Sequence, residues 1–171
     1  MTPPSGATGR PYPTHQPTRP ETSVTAPRDS DSPHELDFAL AAKLLDAQPF
    51  TRLVGARLTE FGDSAATIEV DIRPDLHQQN GFLHGGVLSY AADNALTFAG
   101  GAVLGAAVLT GGFSIQFVRP ATGRTLIARA QVVHGGRRQA VVRCDLSTAD
   151  EEGTEKLCAV AQGTVLSVAQ G

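Results

Sequence analysis

The chain has 171 residues and a formal net charge of -3, with seven Phe, two Tyr and no Trp. That is the size of one domain, and it lacks both the basic surplus and the stacking aromatics of a general nucleic-acid binder. Its two cysteines, Cys144 and Cys158, are too few for a disulfide framework and lack zinc-type spacing, so they read as reduced core residues of a cytoplasmic protein.

Residues 1–34 hold eight of the eleven prolines, many Ser and Thr, and no apolar core of a signal peptide. Such a segment cannot bury enough apolar surface to offset its ordering entropy, and it reads as a disordered tail. The domain then runs over 35–171. A first helix is expected over Glu35–Ala47, with Glu35 and Asp37 in its first turn, Phe38, Ala41, Leu44 and Leu45 at helical spacing, and Pro49 as its stop. Two strands are expected over Arg52–Phe61 and Ala65–Arg73, joined at Gly62-Asp63-Ser64 and closed by Pro74. In the second, Ala66, Ile68, Val70 and Ile72 alternate with Thr67, Glu69, Asp71 and Arg73.

A long helix is expected over Gly85–Gly100. Four alternating runs follow: Phe113, Ile115 and Phe117 against Ser114 and Gln116, then Leu126–His134, Arg138–Ser147 and Lys156–Val168, linked by short turns. Asn94 to Val118 contains no charge. Five glycines interrupt it and no Lys/Arg cluster flanks it, so it reads as a buried helix and a strand, with no membrane span. A helix apolar on almost every side must be buried. The order of elements fits an α+β fold in which a curved antiparallel sheet wraps that helix.

The long helix carries two stripes. Val87, Leu88, Ala91, Ala95 and Phe98 are apolar, whereas Gly86, Ser89, Asp93, Thr97 and Gly100 are small or polar. A carboxylate at Asp93 in such a helix must be paired, hydrated or used. At the start of the helix, Gly85 and Gly86 leave backbone N–H groups accessible to an anion or a polarised carbonyl oxygen. Eight residues separate Gly85 from Asp93, roughly 12 Å along the axis. One carbonyl cannot easily reach both, so a single site using both groups is expected to span two antiparallel chains. His77 and His84 have no further ligands at metal-site spacing, and no metal or cofactor is expected.

With these residues in view, the chain resembles the hotdog-fold thioesterases of the phenylacetyl-CoA thioesterase type, in the 4-hydroxybenzoyl-CoA thioesterase superfamily. The resemblance rests on QQNGFLHGGVLSYAADNA (78–95), with an Asp nine residues after the His, and on TGGFSIQFVRPA (110–121), and it spans roughly 35–168. It implies an acyl-CoA thioesterase in which Asp93 is the nucleophile or the general base that activates water. The Gly85 amide would polarise the thioester carbonyl, and His84 would hold the loop and bond near the thioester. Gln78, the first of three adjacent amides with Gln79 and Asn80, takes the position of an orienting Asn or Gln, while Thr110 matches a Ser or Thr that helps place the water.

Asn80, Gly86 and Ser89 are further candidates for substrate contact, and Arg119, Arg124, Arg137 and Arg138 for the phosphates of coenzyme A. The resemblance also implies a homodimer with a continuous sheet, often a homotetramer, and no metal; composition and the interrupted apolar run lead to no expectation of a nucleic-acid or membrane partner. The alternatives are a hotdog-fold acyl-thioester hydratase or dehydratase, and a non-catalytic acyl-CoA-binding protein.

Overall fold

The computed structural model describes residues 36–168, so the expected disordered tail lies outside the described residues. The first helix, α1, is Phe38–Asp46, shorter than expected because Asp37 is its cap: its carboxylate accepts from the Leu40 N–H at 2.8 Å. Ala41 and Leu45 are its buried face.

Pro49 ends one helix and starts another. Helix α2, Pro49–Val54, carries proline in its first turn and stops at Gly55, whose φ of 78° is left-handed. The expected strand over Arg52–Phe61 is therefore corrected: 52–54 are helical and strand β1 is Ala56–Gly62. Proline lacks only an N–H that the first turn does not use, so it is as good a start as a stop. Arg73, expected on a strand face, instead donates its guanidinium to the carbonyls of Val54 at 2.5 Å and Leu53 at 2.6 Å, closing the end of α2.

Strand β2 is Ala65–Asp71, and the turn before it has positive φ at Asp63 and Ser64, the geometry that matches hairpin twist. Helix α3 is Gly85–Leu104. Strands β3 (Val108–Phe117), β4 (Thr125–Gly135), β5 (Gln139–Ala149) and β6 (Glu155–Ser167) complete one antiparallel sheet in the order β1-β2-β4-β5-β6-β3. All six strands contact α3, so the sheet curves around the helix. This is the α+β architecture expected. The expected short-turn succession is corrected at one point: β3 and β4 follow each other in sequence but are not neighbours, because β3 lies at the far edge beside β6. The alternation expected in β3 is also weak: only Val108, Thr110 and Ile115 are partly covered, as one face and one edge of this strand lack a neighbour among the described residues.

The core is built from small helix residues against branched strand residues. Ala91, Ala92, Ala95 and Ala99 of α3 are fully buried, facing Ile68, Val70, Leu126, Val142 and Leu146. The helix, expected to stop at Gly100, continues four residues further. A Cβ on Gly100 would lie 2.6 Å from the Val165 Cβ, so this glycine serves a close helix–sheet approach. It is buried against β6 and does not share the ligand-accessible face assigned to its stripe. No helix among the described residues is long and apolar enough to cross a membrane. Cys144 and Cys158 are free and buried, and burial pushes the Cys144 thiol up to about 12.

Candidate active site

The loop before α3 is held from several sides. The Gln78 N–H donates to the Phe82 carbonyl at 2.8 Å, Leu83 N–H to Ala121 at 3.0 Å, and His84 N–H to Leu76 at 2.9 Å. Gly81, at φ 80°, closes the turn over 78–81. Within it the Gln78 side-chain oxygen (Oε1) accepts from the Asn80 N–H at 2.5 Å, which leaves the Gln78 amide group as a donor. Of the three adjacent amides, Gln78 lines a cavity with Gly85, whereas Gln79 and Asn80 are exposed.

His84 is the N-cap of α3, and its Nδ1 accepts from the Gly86 N–H at 2.9 Å. Accepting at Nδ1 leaves the proton of the neutral ring on Nε2. The His84 carbonyl accepts from Val87 at 2.9 Å and from Leu88 at 3.4 Å. A helix start leaves four amides without intrahelical partners. Here three of them are engaged, and the Gly85 N–H alone has no partner among the described residues. Two expected contacts are thereby narrowed: the Gly86 amide is committed to His84, and the Ser89 hydroxyl donates to the Gly85 carbonyl at 2.9 Å.

Asp93 sits two turns further on, half-buried. Thr110 Oγ1 donates to its Oδ1 at 2.6 Å. Thr97 Oγ1 is 2.8 Å from the Asp93 carbonyl oxygen and 2.6 Å from Thr110 Oγ1. Each hydroxyl has one proton. Thr110 gives its own to the carboxylate, so the Thr97 proton is shared between the carbonyl and Thr110. Oδ2 has no partner among the described residues, and no cation pairs with Asp93 there.

Thr110 is aimed by a bulge: β3 pairs Thr110 with Val165 and Gly112 with Thr164, leaving Gly111 as the extra residue. Thr97 falls on the expected stripe, but the sequence reading gives it no role; its position four residues after Asp93 is the signal. Tyr90, one turn before Asp93, is also absent from that reading. Burial raises the pKa of its phenol, its bond to Thr51 opposes that rise, and the Asp93 charge adds to it.

The two halves open into different cavities. Asp93, Thr97 and Thr110 line one of about 510 Å³, together with Tyr90, Phe50 and Val108. Gly85 and Gln78 line another of about 410 Å³, with Phe82, Phe117 and Arg119. Neither of these two cavities holds both Gly85 and Asp93.

The four arginines are likewise divided. Arg119 flanks the Gly85 cavity and donates to the Leu157 carbonyl, and Arg124, beside Glu151, precedes β4. Arg137 and Arg138 lie in the β4–β5 turn. An 11-residue strand separates that turn from Arg124, on the order of 33 Å at 3.3 Å per residue. One phosphate group cannot meet all four in one chain. No cluster of three or more metal-type side chains occurs among the described residues.

A six-stranded antiparallel sheet curved around one long central helix is a hotdog fold. The thioesterase superfamily profile matches residues 80–155. A Mycobacterium tuberculosis (strain H37Rv) protein provisionally named an esterase is 32% identical over 96 residues, covering 53% of this chain and 69% of that protein. Among solved structures, a thioesterase family protein from Silicibacter pomeroyi superposes with a TM-score of 0.72 at 29% identity, over 76% of this chain and 96% of that one. A mutant of the phenylacetic acid degradation protein PaaI from Thermus thermophilus gives 0.62 at 28% identity, over 71% of this chain and 100% of that one. The chain belongs to the thioesterase superfamily, as a PaaI-like member with the hotdog fold.

Proposed function

We propose that the protein is an acyl-CoA thioesterase, hydrolysing an acyl or aryl thioester to the free acid and coenzyme A. The observation that carries this reading is the pair of unspent groups on α3: the Gly85 N–H, left open when its three neighbours are engaged, and Asp93 Oδ2, left open when Thr110 holds Oδ1. A fixed amide at a helix start stabilises negative charge developing on a carbonyl oxygen. A carboxylate with one oxygen oriented and the other free can take a proton from water, or attack the carbonyl itself.

In this mechanism the thioester oxygen accepts from Gly85 while Asp93 either takes a proton from the water that attacks the carbonyl or attacks it itself, forming an anhydride that a water then cleaves to the free acid. In both routes the C–S bond breaks and coenzyme A leaves as the thiol, its proton coming from the water consumed. Gln78 donates from the Gly85 side, to water or to the substrate. His84 acts mainly as the cap that fixes the Gly85 amide.

Gly85 and Asp93 are roughly 12 Å apart along one helix, further than a single carbonyl spans. We therefore infer a homodimer or homotetramer in which one chain's Gly85 works with its partner's Asp93. The free edge of β3, with exposed Phe117 at its end and exposed Val118 just beyond it, fits a sheet continued into a second copy. Arg119, which lines the Gly85 cavity, and the exposed Asn80, two residues after Gln78, are the candidates from this chain for the coenzyme A end, with Arg137 and Arg138 available only from another copy or site. The two buried free thiols fit a reducing compartment such as the cytoplasm.

Free-thiol release from a panel of acyl-CoAs tests the reading. Release by the wild type, with most turnover lost in a folded Asp93→Asn variant, is expected. Wild-type turnover in that variant would refute the assignment.

A further inference from the structure

Asn94 follows Asp93 on α3 and is only 8% exposed, on a helix whose other deeply buried positions are mostly alanine. The fold does not call for it. Asparagine is a poorer helix former than alanine, and a buried amide costs free energy unless its donors and acceptor are filled. This amide is half filled. Its Nδ2 donates to the Tyr90 carbonyl at 3.0 Å, one turn back. A carbonyl oxygen only accepts, so this bond settles which end of the amide is which: the amino group faces the helix backbone and Oδ1 is left over. Oδ1 has no partner among the described residues. No fully enclosed side-chain N or O among them lacks a partner, so Oδ1 is reached from an opening, and the opening that Asn94 lines is the cavity beside Asp93. Tyr90 and Phe98, one turn to either side, line the same cavity, and the Tyr90 hydroxyl is already engaged with Thr51 at 2.6 Å.

An open amide oxygen calls for a donor on the ligand. Coenzyme A is assigned above to the Gly85 cavity, which leaves the acyl group in this one. The donor must be neutral, because an ammonium so near would pair with Asp93 and offset the charge that hydrolysis uses. It must also lie close to the thioester, since Asn94 and Asp93 are consecutive, with Cα atoms about 3.8 Å apart. A hydroxyl on the third carbon of an acyl chain meets both conditions, whereas one on the far side of an aromatic ring lies further off. We propose that Asn94 is a specificity-determining residue that accepts from such a hydroxyl, so that the protein prefers 3-hydroxyacyl-CoA thioesters to their unsubstituted counterparts. This rests on the reading of Asp93 as the hydrolytic carboxylate. With an unsubstituted chain the Asn94 oxygen loses water and gains no partner, and an acceptor left unfilled in this way slows turnover by roughly ten- to a hundredfold.

The test is kcat/KM, by free-thiol release, for (R)- and (S)-3-hydroxybutyryl-CoA and for butyryl-CoA, with the wild type, Asn94→Leu and Asn94→Ala. The wild type is expected to favour one enantiomer over butyryl-CoA by about tenfold or more. Both variants are expected to bring that ratio to within about threefold of unity. A ratio between substrates of one protein is insensitive to a general loss of folded chains. Leucine keeps the volume of the amide without its oxygen. Alanine, the residue of the buried helix neighbours, keeps the fold even where leucine does not. A wild type that favours neither enantiomer over butyryl-CoA, or a preference that survives in a folded variant, overturns the proposal. So does release from hexanoyl- or benzoyl-CoA with none from 3-hydroxybutyryl-CoA. Absence of thiol release from all of these thioesters with the wild type overturns instead the thioesterase reading beneath it.

Discussion

The Gly85 amide can be removed almost without touching the fold, which makes it the sharpest test of the site. Gly85 is the first residue of α3, the helical position where proline is best tolerated because its N–H has no intrahelical partner. The residue before a proline must be extended, and His84 already is, at φ -64° and ψ 135°. Gly85 is not among the glycines with positive φ, and a Cβ there meets nothing nearer than Phe117 Cζ at 3.4 Å, an ordinary contact. Gly85→Pro should therefore melt within a few degrees of the wild type while lacking the one open backbone amide of the helix start. Loss of a single oxyanion donor costs about 2.7–4 kcal/mol in the transition state, or roughly 10²–10³ in kcat. Gly85→Ala adds the same Cβ but keeps the N–H, and should stay within about tenfold of wild type, one decade being about 1.36 kcal/mol. Steady-state thiol release from the best acyl-CoA measures both. If Gly85→Pro keeps more than a tenth of wild-type kcat, or Gly85→Ala is as inactive as Gly85→Pro, the amide is not the donor and the reasoning fails.

Other expectations follow from the same geometry. Co-expressed Gly85→Pro and Asp93→Asn chains should regain about a quarter of wild-type activity if sites are shared, since random pairing makes half the dimers mixed and each mixed dimer has one intact site; activity no higher than that of the two variants alone would assign both groups to one chain. Thr110→Val removes a hydrogen bond to a charged group, worth about 1.5–3 kcal/mol, and should lower kcat/KM roughly 10- to 150-fold. Adding Thr97→Val should cost less than it does alone, because the two hydroxyls share one network, as a double-mutant cycle will show. Gly100→Ala forces a Cβ to 2.6 Å from Val165 and should destabilise by about 1–3 kcal/mol, lowering Tm by roughly 3–10 °C in calorimetry. With its pKa raised to about 12, Cys144 should resist a thiol reagent at pH 8 until the chain is unfolded.

The parts of this fold written in local sequence were readable, and the non-local parts were not. The start of α3 and its nine-residue span from His84 to Asp93 lie in one motif, and the alternation of β5 and of β6 from Ala159 on is strong because one face of each packs on the helix, whereas β2 and β4 each bury three residues in a row, Ala66–Ile68 and Leu126–Ala128. Helix α2 escapes such a reading because Pro49 carries the same signal whether it ends α1 or begins the next helix. The edge position of β3 is hidden because strand order is set by pairing with β6, some 40 residues later in the chain by the Phe117–Ala159 register, and not by adjacency. The bond between Tyr90 and Thr51 spans 39 positions and has no pattern to mark it. Residue type alone groups the arginines, and an 11-residue strand then divides them.

The surroundings of Asp93 bear on what its charge is for. A carboxylate in an apolar helix is commonly quieted by a cation, which lowers its energy but also offsets its field. Here the partners are hydroxyls: Thr110 donates one short bond to Oδ1, Thr97 backs Thr110, and no Lys, Arg or His among the described residues forms an ion pair with it. Hydroxyls orient the group and leave its negative charge intact, which suits a base or nucleophile better than a structural ion pair does. One of the two hydroxyls comes from β3, the strand with the free edge, and a bulge at Gly111 aims it. The strand that orients the carboxylate is thus also the strand best placed to meet a second copy. If a second copy pairs at that edge, as proposed, pairing and the positioning of Asp93 share one strand, and a variant that weakens association through β3 should then lose turnover even where it leaves every residue of the carboxylate site untouched.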